Sequence, residues 1–202
     1  IISSDLLKQF QDNYEVKKDI DLLISQIERC GEILKKLTLN PTIEDNFIDS
    51  DLTMVDYISE IIKSFKETSK KEFILNIDQY SNSLNISKSI EIVYGLRNFI
   101  GNANKFSKSK VFINIKSDNN ITEIIIEDDG EGYPKDVLRN IGEPYIKSYK
   151  SSVKSKSGLG LGIFIGKTLL EKNYANILCK NSKTRGGAEV NIKWKNKDLL
   201  NL

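Results

Sequence analysis

The chain has 202 residues, of which 30 are basic and 28 acidic, giving a formal net charge of +2 with 39% hydrophobic and 29% charged residues. This is the composition of a globular protein, long enough for one domain of ordinary size plus a helical appendage. The balance of charge argues against nucleic-acid binding, which needs a concentrated basic face, and the lack of any histidine excludes imidazole metal sites and every mechanism with His as base or nucleophile.

Residues 1–40 read as two helices. Ile20, Leu23, Ile24, Ile27, Leu34 and Leu37 recur mostly at spacings of three and four, a helical stripe in a polar background. Two antiparallel helices alone bury too little, so the hairpin needs a partner, most simply a second copy of itself. Asn40–Pro41 ends the helix, because the residue before proline is pushed out of the α region. After a linker to about Asn46, Leu52–Lys66 is predicted helical, Phe73–Ile77 a strand and Ser87–Phe106 a long helix.

Val111–Ile115 and Ile121–Glu127 read as strands joined by the polar turn 117–120. Residues 134–158 are polar and irregular, Leu159–Lys172 is a predicted helix, and Ala175–Cys179 and Ala188–Trp194 are closing strands. Helices and strands alternate without a βαβ repeat, which predicts an α/β sandwich: one mixed sheet with helices on one face, preceded by the helical hairpin. The expected domains are 1–40 and 46–196.

No apolar run approaches the ~20 residues that span a bilayer, and the first residues lack signal-peptide features. Without an initiator Met the chain reads as a piece of something longer, so an upstream membrane segment stays open. Cys30 and Cys179 are far apart and form no CxxC pair, as expected of reduced thiols in a cytoplasmic protein.

Three segments carry chemistry. In the first, Asn98 and Asn102 are four apart and share a helix face, with Lys105 one turn further on. Carboxamides can give oxygens to a hydrated Mg²⁺ that also holds phosphates, and lysine supplies a point charge. The bland alternative is a polar helix face.

In the second, the apolar strand Ile124-Ile125-Ile126 runs into Asp128, Gly130 and Gly132. A carboxylate at a strand's end can accept a hydrogen bond from an exocyclic amine, and glycines let backbone approach a flat ring. An Asp-Gly turn is the alternative; the twelve-residue calcium loop is absent.

In the third, Gly158, Leu159, Gly160, Leu161 and Gly162 precede a helix. The dinucleotide fingerprint GxGxxG does not fit, and the phosphate loop GxxxxGK[ST] is one residue short. What remains is a glycine-rich turn into a helix N-terminus, where backbone N–H groups can bind triphosphate oxygens. Lys147, Lys150, Lys154 and Lys156 lie just upstream.

In this order the segments resemble the nucleotide-binding boxes of the GHKL ATPases (histidine kinases, gyrase, Hsp90 and MutL) over residues 46–195. The pattern NxxxNAxK, DxGxG, EPY and GLGLG is similar to the histidine kinases in particular. The resemblance implies a Bergerat α/β sandwich binding ATP and Mg²⁺. Asn102 would be the Mg²⁺ ligand, with Asn98 beside it and Lys105 near the phosphates. Asp128 would bind the adenine amine, and Gly130 and Gly132 would shape the base pocket. Gly158, Leu159, Gly160, Leu161 and Gly162 would line the phosphates, and Tyr145 stands where many histidine kinases have a phenylalanine. Hydrolytic relatives carry a glutamate at the position of Asn98; asparagine cannot take up a proton near neutrality, which favours phosphoryl transfer.

Finer features, Gly142-Glu143-Pro144-Tyr145, the helix after Gly160 and Gln26–Cys30, look like the RegB/PrrB group of redox-responsive sensor kinases. That resemblance implies an acceptor histidine just before Ile1, a homodimer through the hairpin, a response-regulator partner and a cytoplasmic location, with any membrane contact made upstream. It also implies a redox-active Cys30, against which stands a plain buried helix residue. The rivals are a GHKL hydrolase, an anti-sigma serine kinase and a nucleotide-sensing scaffold without catalysis.

Overall fold

The computed structural model describes residues 24, 52–78, 85–86, 89–144 and 161–200. The chain divides into two compact units, Ile1–Asp45 and Asn46–Leu202. In the first, only Ile24 is described, and it is helical. The predicted hairpin, its Cys30 and the linker therefore lie outside the described residues.

The second unit begins with strand β1 (Leu52–Thr53) and helix α1 (Met54–Lys66), followed by β2 (Glu72–Ile77), β3 (Asn85–Ile86) and α2 (Ile90–Phe106). Strands β4 (Lys110–Ser117) and β5 (Ile121–Asp128) come next, then the short α3 (Lys135–Arg139) and α4 (Gly162–Lys172). Strands β6 (Asn176–Asn181) and β7 (Ala188–Lys195) and the closing turn of helix α5 (Asn196–Leu199) complete it.

Caps set the helix starts. Thr53 and Asp56 form a reciprocal capping box, so α1 starts at Met54 rather than at Leu52. The Ser89 hydroxyl accepts from Ile92 N–H at 3.3 Å, which delays α2 to Ile90. The irregular reading of 134–158 needs one correction: Lys135–Arg139 is helical after Pro134, a proline with its φ already suited to a helix start.

The main sheet has the order β2-β4-β5-β7-β6. The β2–β4 pair is parallel and the other three are antiparallel. Register places Leu75, Ile113, Ile126, Val190 and Cys179 in one cross-strand row, and Ile77, Ile115, Ile124, Ile192 and Ile177 in the next. A strand's period of two sends both rows to one face, where Ile113, Ile115, Ile124 and Ile192 are fully buried beneath Ile92, Leu96, Phe99 and Ile100 of α2. The same period puts Asp128, paired with Val111, on that apolar face. Trp194 closes the core and donates its indole N–H to the carbonyl of Asn173 at 3.0 Å.

Helices α2 and α4 pack antiparallel. Gly95 faces Leu170, Asn98 and Phe99 face Gly166, and Asn102 faces Gly162. An ideal Cβ on Gly95 would stand 2.5 Å from two carbons of the Leu170 side chain. Gly95→Ala gains about 1 kcal/mol of helix propensity but overpacks this contact, which costs on the order of 1–3 kcal/mol. Urea denaturation should show a net loss of stability. In a Leu170→Ala background, where the clash is gone, the same change should stabilise.

Candidate nucleotide site

The site is built along the α2–α4 seam and at the end of β5. An ideal Cβ on Gly162 would lie 3.1 Å from Asn102 Nδ2 and 3.2 Å from Oδ1, so the carboxamide lies against the first residue of α4. Asn102 Nδ2 is buried and has no hydrogen-bond partner among the described residues. An unsatisfied buried donor costs on the order of 1–3 kcal/mol. The opposing N-terminus of α4 has as its cap Leu161, whose side chain makes no hydrogen bond. The first N–H groups of a helix lack intrahelical partners and carry its positive dipole end.

Asn98 lies one turn earlier, its Cβ 3.2 Å from where a Cβ on Gly166 would stand. Its Nδ2 donates to Tyr94 O at 2.8 Å, one turn back in its own helix. Lys105 is in the last turn of α2, with Nζ 5.4 Å from the centroid of the Phe106 ring.

The other end of the site is Asp128, only 2% exposed. Its Oδ1 accepts from Gly130 N–H at 2.8 Å and from Ala188 N–H at 3.3 Å. Both bonds fall on one oxygen, which leaves Oδ2 for an incoming donor. Burial raises the Asp128 pKa against the opposing pull of those two amides, and the neighbouring Asp129 adds to the rise.

Gly130 is packed so closely on Asp128 and on the carbonyl of Phe106 that no side chain would fit. Phe106 lies four residues, about one helical turn, beyond Asn102. The α2 C-terminal half thus links the Asn102–Gly162 contact to the Asp128–Gly130 turn. Asn98, Asn102, Lys105, Asp128, Gly130, Leu161 and Gly162 all border this seam and its two ends, while Gly132 lies further out, beside Asn181. Tyr145, Gly158, Leu159 and Gly160 lie outside the described residues, as do Lys147, Lys150, Lys154 and Lys156.

Sequence reasoning missed four neighbours of these residues. Phe106 is 52% exposed at the α2 terminus, and its carbonyl packs against Gly130 of the acidic turn. Gly187 packs against the Asp128 backbone and carboxylate, leaving no room for a Cβ. The Tyr133 N–H donates to Asn181 Oδ1 at 2.6 Å, and Asn181 Nδ2 donates to the Tyr133 carbonyl at 3.0 Å. Burial pushes the Tyr133 phenol well above its usual range, with Cys179 and Asp128 adding to the effect. Cys179, expected in the core, is half-buried, and burial pushes its thiol up to about 11. Only Phe106 and the Gly186-Gly187 pair carried a local signal: an aromatic directly after Lys105, and a double glycine opening a strand.

Residues 87–198 match the model of the histidine kinase-, DNA gyrase B- and HSP90-like ATPases. The chain belongs to this family. It is 28% identical over 212 residues to the sensor histidine kinase RegB of Cereibacter sphaeroides, an alignment that takes in 96% of this chain and 46% of that protein. The chain thus spans about half the length of this relative. Its fold resembles the mycobacterial sensor histidine kinase MprB, with a TM-score of 0.59 and 20% identity over 71% of this chain and 96% of that one. It likewise resembles the catalytic domain of the histidine kinase ThkA, with a TM-score of 0.60 and 18% identity over 73% and 97% of the two chains. The chain carries a catalytic ATP-binding domain of the kind found in sensor histidine kinases.

In this ATPase-family domain the acidic turn is itself anchored. Asp129 accepts from the N–H groups of Lys108, Ser109 and Lys110 and from the Ser109 hydroxyl at 2.6 to 3.1 Å. Partial burial pushes its pKa up, but these bonds, led by the Ser109 hydroxyl, outweigh it and hold the carboxyl well below the usual carboxylate range. A pKa lowered by folding makes the ionised group stabilising above its ordinary value of 3.8. Asp129→Asn should therefore cost about 1–2 kcal/mol at pH 7, a figure reduced for solvent screening. In chemical denaturation across pH, the difference should start to shrink below about pH 4 and keep falling in stronger acid.

Proposed function

We propose that this chain is the phosphoryl-donating part of a two-component sensor histidine kinase, transferring the γ-phosphoryl of ATP to a histidine outside this chain and from there to a response-regulator aspartate. The observation that carries the reading is the buried Asn102 amide, its Nδ2 unpartnered among the described residues, facing the N-terminus of α4. These groups suit an anion that accepts from Nδ2 and from the helix N–H groups, while Asn102 Oδ1 offers an oxygen to a cation beside it. Gly158, Leu159, Gly160, Leu161 and Gly162 would line the triphosphate at that helix start, and Lys105 would add a positive charge. Asp128 Oδ2 would accept from the adenine amine, Gly130 and Gly132 would form the floor of the base pocket, and the exposed Phe106 ring would stack on the base. Tyr145 would border the same site.

Mg²⁺ fits the residues present. Among the described residues no cluster of three His, Cys, Asp or Glu side chains is poised to hold a metal, and Mg²⁺ commonly takes one or two protein oxygens, its own waters and substrate phosphates. Asn102 would supply the protein oxygen, and the ion would neutralise charge on the phosphates. The rest of the chemistry is positioning and charge placement. Asn98 has its amide nitrogen committed to Tyr94 O, and its carboxamide cannot accept a proton near neutrality. No base stands there to activate water, which favours transfer over hydrolysis.

Residues 1–40 would form a homodimer with a second copy, and Cys30 would be a redox-responsive thiol within that hairpin. No helix among the described residues is long and apolar enough to cross a membrane. The domain would work in the cytoplasm, where ATP and response regulators are found.

Calorimetry with a non-hydrolysable ATP analogue tests the nucleotide assignment. Asp128→Asn should abolish measurable binding while the urea midpoint stays close to the parent's; unchanged affinity would sink the assignment. Asn102→Ala should remove the dependence of affinity on Mg²⁺ more than it weakens metal-free binding. Steady-state phosphate release by the chain itself would favour a hydrolase. Autophosphorylation on histidine by a longer chain that includes the residues before Ile1 would favour the kinase.

A further inference from the structure

The turn that carries Gly130 and Gly132 leaves β5 and must be held in place without strand pairing. Asp129 anchors its start. Its far end is held from β6, 48 residues away. There the Asn181 carboxamide mimics a strand neighbour, accepting from Tyr133 N–H at 2.6 Å and donating to the Tyr133 carbonyl at 3.0 Å. The same group fills the space beside Gly132, where an ideal Cβ would lie 2.7 Å from Asn181 Oδ1. Gly132 has φ +76°, a left-handed conformation that favours glycine. Local chemistry and a distant side chain thus specify one conformation of this turn.

That conformation has a consequence for Tyr133. With its backbone clipped to β6, Tyr133 is half-buried, and its phenol interacts electrostatically with Asp128 and Cys179, which strand register places on one face of the sheet. Asn181 itself is exposed at the rim and touches the site only through the turn.

We infer that Asn181 is a positioning residue for nucleotide binding, acting through Tyr133: its two hydrogen bonds and its packing on Gly132 fix where the Tyr133 ring stands beside Asp128. This rests on the assignment of Asp128 to the base site. Asn181 supplies no group to the nucleotide. It restricts the turn to the conformer that binds, so losing it lowers affinity by the fraction of molecules in which the turn is misplaced.

A double-mutant cycle tests the inference, with affinity for a non-hydrolysable Mg²⁺·ATP analogue measured by calorimetry on the 202-residue chain. Asn181→Ala should weaken binding by about five- to tenfold, the scale of losing two partly solvated hydrogen bonds. In a Tyr133→Ala background, or Tyr133→Leu if that variant fails to fold, the same change should weaken binding by less than about twofold, because coupled residues are not additive. Equal losses in the two backgrounds would overturn the inference, since a general structural effect would act in both. No loss in the parent would also overturn it while leaving the ATP assignment intact. A parent chain that fails to bind the analogue at all would overturn the ATP assignment and this inference together.

Discussion

The antiparallel contact between α2 and α4 is the constraint on which the site depends. Gly95, Asn98 and Asn102 form a ridge on α2 with spacings of three and four, and Gly162, Gly166 and Leu170 form the opposing ridge at intervals of four. Small residues at 162 and 166 let the asparagine side chains lie between the helices, so close approach and chemistry use the same positions. Because the helices run in opposite directions, the N-terminus of α4 meets the C-terminal half of α2. A parallel crossing would bring the negative end of a helix dipole to Asn102, and phosphate binding there would be disfavoured. Gly95 against Leu170 fixes the register at the far end. A slip of one residue along this seam would put a full side chain where Gly162 now admits the Asn102 carboxamide.

The sheet supplies the second fixed point by the same economy. In β5 the inward positions are Thr122, Ile124, Ile126 and Asp128, so the carboxylate follows two core isoleucines. Asp128 is buried because the strand's alternation carries it there. The hydrogen bonds from Gly130 and Ala188 and the close packing of Gly187 then fix which oxygen is free. The adjacent Asp129 is tied to the start of β4, so two neighbouring aspartates have opposite pKa shifts: one is buried at the strand's end, the other holds the turn.

Much of this could be read in the sequence, and what could not shares one physical cause. The order of the strands and long helices follows from periodicity, and Asn98, Asn102, Asp128 and Gly162 follow from spacing and residue type. Three contributors could not be assigned from the sequence because they act across long separations. Asn181 looks like one more polar residue of a lysine- and asparagine-rich strand until the fold sets it against Tyr133. Gly187 reads as part of a turn until the β5–β7 pairing lays it on Asp128. Gly166, set aside with a failed phosphate-loop motif, is the packing partner of Asn98. Caps explain the displaced helix starts: Thr53 and Ser89 each use a hydroxyl to terminate what hydrophobic spacing alone would have extended.

The candidate site also gathers groups that the described fold leaves poorly compensated. Asn102 Nδ2 is buried without a partner among the described residues, α4 begins without a side-chain cap, and Asp128 is a carboxylate on the apolar face of a sheet. Each of these costs free energy in the folded chain. Under the proposed assignment, phosphate oxygens would accept from Asn102 Nδ2 and from the first N–H groups of α4, and the adenine amine would donate to Asp128 Oδ2. One helix seam and one strand register thus supply donors and an acceptor in a domain of an ATPase family, a set that the proposed ATP ligand would satisfy.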